Sequence, residues 1–147
     1  MERLDNRIRR FVYEYIVEHA VAPASKTIAR QLSKPLAEVN AALLRLSEAH
    51  AVIARRESCE IWRVAPFSAV PTAFEVRVGE KRWWANCVWD ALGVLAALNK
   101  DGQVVTCCPC CNQGMTLTIQ NGKLQPVEAV IHFLLPVHQW YEDIVFT

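Results

Sequence analysis

Apolar residues first recur at helical spacing. Ile8, Phe11, Val12, Tyr15 and Ile16 fall three and four apart, which predicts a helix over 7–19 that ends before Pro23. Ser25 is the expected N-cap of a second helix over 26–32, with Ile28, Ala29 and Leu32 facing inward. Ser33 and Pro35 open a third, in which Leu36, Val39, Leu43 and Leu46 repeat at the same intervals. The pattern then changes. Val52-Ile53-Ala54, a charged Arg55-Arg56-Glu57 tip and Ile61-Trp62-Arg63-Val64 predict a two-stranded hairpin. Three helices followed by a hairpin describe a winged helix, and residues 1–64 are assigned to such a unit.

Residues 65–72 hold two prolines and little periodicity, as a linker would. Beyond them the period is two: Phe74, Val76 and Val78 alternate with Glu75 and Arg77, Gly79-Glu80 turns, and 82–84 returns as a strand. Residues 86–98 predict a helix capped by Asn86, with Trp89, Leu92, Val94, Leu95 and Leu98 as its apolar face and Asp101-Gly102 as its close. Further strands are expected at 103–106, 115–119 and 129–135, joined by a cysteine-rich turn and by Asn121-Gly122. The fold class is α+β, with a small mixed α+β domain over 73–147.

Composition narrows the class. Of 147 residues 52% are hydrophobic and 21% charged, which suits a globular core, and no apolar run approaches the roughly 18 residues of a membrane span. Residues 2–5, Glu-Arg-Leu-Asp, give no signal-peptide core, so a cytoplasmic protein is expected. Six cysteines in such a compartment point to metal or thiol chemistry rather than a disulfide framework. The net charge of +1 splits into +3 through residue 65 (11 Lys+Arg, 8 Asp+Glu) and −2 beyond it (5 against 7), a mild basic bias.

Candidate chemistry gathers at "WWANCVWDAL", residues 83–92. Cys87 in the first turn of a helix and Asp90 three residues on point roughly the same way. The helix N-terminus favours a thiolate, while the neighbouring carboxylate raises one or both proton affinities, so the pair is suited to holding one proton. A soft metal arriving at sulfur would take the thiolate and leave Asp90 as proton carrier. The plainer alternative is a packing cysteine beside an aspartate that serves the helix dipole.

The string "APFSAVPTAFEVRVGEKRWWANCVWDALGV", with "TLTIQNGKL" and "VIHFLLPVHQWYEDIVFT" further on, resembles the organomercurial (alkylmercury) lyase family over the whole chain. The resemblance implies an N-terminal winged-helix-like unit ahead of an α+β catalytic unit. It also implies Cys87 as the mercury-attacking thiolate and Asp90 as the acid that protonates the leaving carbon. Mercury enters as substrate or product with small cytosolic thiols as partners, and no cofactor is required. A second catalytic cysteine in the family follows the segment that here runs from Leu135-Pro136 to Trp140. That thiol is expected at or past Thr147, the C-terminal domain being truncated there by a UGA codon read as nonsense or as selenocysteine. The alternatives are a winged-helix metal- or thiol-responsive regulator and a non-catalytic mercury-binding relative.

"TCCPCC" places Cys107, Cys108, Cys110 and Cys111 between two strands, with overlapping Cys-x-x-Cys pairs that form half of a zinc-ribbon knuckle. Structural zinc would need His132, His138, Cys59 or another molecule to complete four ligands. Reduced structural thiols and mercury capture are the other readings. For DNA, the third helix offers outward Glu38, Asn40, Ala41, Arg45 and Glu48, poor material for phosphates or base edges. The four histidines are assigned no ligand role, and Trp84 or Trp89 is a candidate wall that excludes water from the site.

Overall fold

The computed structural model describes residues 3–133, 135–140 and 142. Three helices, α1 (Leu4–His19), α2 (Ser25–Leu32) and α3 (Leu36–Glu48), precede β1 (Ile53–Ala54) and β2 (Ile61–Val64). Then come β3 (Phe67–Ser68), β4 (Glu75–Val78), β5 (Lys81–Ala85), α4 (Val88–Leu98), β6 (Gly102–Cys107), β7 (Gly114–Gln120) and β8 (Lys123–Leu124). The class is α+β, with helices at the N-terminus followed by an antiparallel sheet that carries a further helix.

Ile8, Val12 and Ile16 of α1 close on Ile28 of α2 and on Val39, Leu43 and Leu46 of α3, so the apolar stripes read from spacing meet as one core. The α2 cap differs from expectation. Ser25 is the first helical residue and Ala24 the N-cap, with no side-chain bond to the helix.

One sheet of order β1-β2-β3-β5-β4-β6-β7-β8 joins both halves of the chain. The segment 65–72, expected as a linker, contains β3. Phe67 is buried, and its pairing with Val64 on one side and Ala85 on the other turns the segment into a bridge between β2 and β5. Side chains reinforce the join. The Trp83 indole Nε1 donates to the Ile16 carbonyl at 2.9 Å, and Lys81 Nζ donates to the carbonyls of Val17 at 3.3 Å and Glu18 at 3.2 Å. The Ile16 carbonyl also accepts the Ala20 N–H at 2.8 Å, while those of Val17 and Glu18 lie beyond the reach of any helical N–H, so β5 adds to the capping of the first helix.

Helix α4 lays Ala91, Val94 and Leu95 on the sheet and contacts β3, β4, β5 and β6. Its packing explains Gly102, where a Cβ would collide with the Arg77 carbonyl oxygen and stand 2.8 Å from Leu95 Cδ2.

The third late strand is a correction. Described residues of 129–135 carry no strand, and Val130 is 92% exposed. Asn121-Gly122 instead turns into the two-residue β8, and the last bond beyond that ladder is Gln125 N to Thr118 O at 2.9 Å. Pro126 follows and has no N–H with which to continue pairing. The position of the second thiol, expected at or past Thr147, lies outside the described residues.

Candidate functional site

Strand β5 delivers the site residues. Ala85 is buried opposite Phe67, and its carbonyl accepts the Thr72 hydroxyl at 2.6 Å. The chain leaves the sheet there through Asn86 and Cys87 into α4. Asn86 was the expected helix cap, but Cys87 fills that role: its backbone is extended (φ −149°, ψ 178°) and its Sγ accepts the Asp90 N–H at 3.3 Å. Asn86 is engaged elsewhere. Its Nδ2 donates to Phe67 O at 3.3 Å and to Asp90 Oδ2 at 2.9 Å, while its Oδ1 is buried with no hydrogen-bond partner among the described residues. Because a backbone carbonyl fixes which end of the amide faces inward, Asn86 presents a donor to Asp90.

Cys87 and Asp90, paired from their spacing, share the wall of one cavity of ≈ 260 Å³. Burial pushes the Asp90 carboxyl above the usual carboxylate range, against the Asn86 hydrogen bond and the positive charge of Arg63, which pull it down. Burial also pushes the Cys87 thiol up, and the Asp90 charge adds to the rise. The backbone N–H of Asp90 and Arg63 oppose it. The helix N-terminus therefore tempers the thiol without making it a standing thiolate. Each group holds its proton to a higher pH than it would in water, which favours keeping a proton at the site until a soft electrophile displaces it.

Other walls come from distant elements. Arg63 on β2, with His50, Ala51 and Ile53, supplies one side; Trp89, Phe133 and Trp140 supply an aromatic one. Phe133 and Trp140 stack with ring centroids 5.2 Å apart. Trp89, expected in the α4 core, is 60% exposed, because the stripe of α4 that meets the sheet is Ala91, Val94 and Leu95. Of the two tryptophans expected as walls, Trp89 lines the cavity and Trp84 does not. His50 and Arg63 carried no signal at ligand spacing; only the folded hairpin brings them to Cys87.

Cys107, Cys108, Cys110 and Cys111 lie apart from this cavity, at the β6–β7 turn. Cys59 is buried. Among the described residues no group of three or more His, Cys, Asp or Glu side chains is arranged to hold a metal ion, and no helix is long and apolar enough to cross a membrane.

Residues 67–146 match the family model of alkylmercury lyase. The chain belongs to the alkylmercury lyase family. The matched stretch starts at Phe67 of β3 and includes Cys87 and Asp90. The crystal structure of the mercury-bound form of MerB2 shares the fold of this family member, with a TM-score of 0.68 at 20% identity over 86% of this chain. That superposition takes in 60% of the MerB2 chain, so the present chain spans well under two thirds of that structure's length. No curated protein matches the chain.

Proposed function

We propose that this alkylmercury lyase family member takes an organomercurial at Cys87 and cleaves its carbon to mercury bond by protonolysis, with Asp90 as the proton donor. The carrying observation is that a thiol and a carboxyl, both with raised proton affinity, face one largely apolar cavity. Mercury is soft and prefers sulfur. An organomercurial arriving as the adduct of a small cytosolic thiol exchanges that thiolate for Cys87 Sγ, and the departing thiolate leaves with the Cys87 proton. Asp90 then gives its proton to carbon as the carbon to mercury bond breaks, the electron pair going to carbon. The hydrocarbon departs, and mercury stays on Sγ with the new carboxylate beside it. A second small thiol completes the two-coordinate product and restores the Asp90 proton. Trp89, Phe133 and Trp140 give the organic group an apolar wall, and water excluded there cannot compete for the proton.

A DNA-binding regulator draws less support. Arg45, the one cation among the outward residues of α3 considered for DNA, is held by Asp5 through Nε at 3.1 Å and Nη2 at 2.6 Å.

The deciding experiment incubates the chain with an organomercurial and excess small thiol and measures hydrocarbon and bound mercury. The unaltered chain is expected to release hydrocarbon, Asp90→Asn to hold mercury at Cys87 without release, and Cys87→Ser to release none. Release by Cys87→Ser at the unaltered rate overturns the reading. Mercury bound through Cys87 with no hydrocarbon from any variant identifies a non-catalytic mercury-binding relative instead.

A further inference from the structure

Four of the six cysteines occupy the bend between β6 and β7, where the proposed lyase chemistry has no use for them. Cys107 ends β6 opposite Gly114. Cys108 N donates to Gln113 O at 2.8 Å and Asn112 N donates back to Cys108 O at 2.8 Å, so the loop folds over Cys108. All four are free thiols, with Cys110 and Cys111 exposed and Cys108 half-buried. The turn closed by Asn112 N on Cys108 O places Cys108 and Cys111 three residues apart within a single turn of chain. Cys107 is not in that set; at a strand end, successive side chains point to opposite faces.

We propose that this turn is a second thiol site, in which Cys108 and Cys111 together take a soft, thiophilic cation such as Hg(II) in two-coordinate form. A linear d10 cation needs two sulfurs and no more, whereas a tetrahedral ion such as zinc needs four donors. The closed turn carries two cysteines three residues apart, and the described residues bring no three metal-ligating side chains together.

Placement adds a role. Glu75 of β4 stands opposite Trp84 of β5 on one side and Val105 of β6 on the other. The chain therefore leaves β5 toward Cys87, and β6 toward Cys108, at the same end of the sheet, with one strand between them and a lateral spacing of roughly 10 Å. Mercury leaving Cys87 as a small-thiol adduct would meet a dithiol at the same end of the sheet. Transfer is a double exchange without redox change: two protein thiols bond mercury, and their two protons go to the two small thiolates released. The site itself does not depend on carbon to mercury cleavage.

The test therefore removes Cys87. The reduced full chain carrying Cys87→Ser is given one equivalent of Hg(II), dialysed against excess monothiol, and assayed for retained mercury and sulfur-to-mercury charge-transfer absorbance. Chelation by two sulfurs on one short loop should keep about one equivalent, and adding Cys108→Ser or Cys111→Ser should lower it to below roughly a tenth. Cys111 is exposed, so its loss leaves the fold intact, as circular dichroism will verify. Adding Cys59→Ser or Cys107→Ser should change nothing. Full retention without Cys108 or Cys111, loss of mercury from the Cys87→Ser chain itself, or four sulfur neighbours around mercury by X-ray absorption would each overturn the assignment. Hydrocarbon release is not read, so failure here leaves the lyase proposal standing and failure there leaves this one.

Discussion

The Cys87 sulfur accepts the backbone N–H of Asp90 at 3.3 Å, so the thiol proposed to take mercury also caps the helix that carries the proposed acid. Capping and chemistry can be separated by substitution. A serine hydroxyl is a better N-cap than a thiol and a methyl group is none, so Cys87→Ser should hold or slightly raise stability, while Cys87→Ala should fall about 1 kcal/mol below it. Urea unfolding of the two variants checks this. Equal stabilities would mean that the sulfur contributes nothing as a cap.

Asp90 gives a pH signature. Its carboxyl keeps its proton to a higher pH in the folded chain than an unfolded aspartate, which loses it near pH 4. Between those two values the native state binds more protons than the unfolded state, so this group lowers stability as pH rises across the window. Asp5 and Glu75 act in the opposite sense, since Arg45 and Arg77 hold their carboxyls below the usual range. The informative quantity is therefore the difference between the unaltered chain and Asp90→Asn. Asp90→Asn should gain relative stability from pH 4 toward neutrality, and a difference that stays flat with pH would show that Asp90 ionises as freely as in the unfolded chain.

Gly102 marks where α4 closes on the sheet. Alanine there must displace the Arg77 carbonyl or Leu95, which should cost about 1–3 kcal/mol, an overpacking penalty. At Gly114 a Cβ meets nothing within 4 Å, and the same substitution should stay within about 0.5 kcal/mol of the unaltered chain. Paired denaturation curves compare them, and equal losses would refute the close approach.

What was legible in the sequence follows from what each feature depends on. The stripes of α1 to α3 and the alternation of β4 depend on local period, and Ile8, Val12, Leu43 and Val76 are buried as that period requires. The described residues of 129–135 form no strand because an apolar run makes one only where a partner edge reaches it, and β8 with Pro126 ends the edge first. Asn86 was misread as the cap because propensity favours asparagine over cysteine there, while tertiary contact with the Phe67 carbonyl claims its amide. Cys87 and Asp90 stood out through their spacing and the resemblance. Arg63, His50, Phe133 and Trp140 did not, since nothing but the closing of β1 and β2, and of residues after 129, brings them to the cavity.

Trp89 provides the sharpest separation of binding from folding. It is 60% exposed yet lines the cavity beside Cys87, so Trp89→Ala removes wall surface and little core. Stability should change by less than about 1 kcal/mol, whereas an arylmercurial, whose ring would rest on that wall, should bind roughly ten-fold more weakly, the equivalent of about 1.4 kcal/mol of lost apolar contact. Inorganic Hg(II) has no organic group to lay against the indole, and its affinity for the Cys87 sulfur should be unaltered. Titrating both ligands into the unaltered and Trp89→Ala chains, each carrying Cys108→Ser and Cys111→Ser to silence the turn, reads the two affinities at one sulfur. Equal weakening of both ligands would mean that Trp89 acts by positioning Cys87, and no weakening of either would remove the aromatic wall from the account of substrate choice.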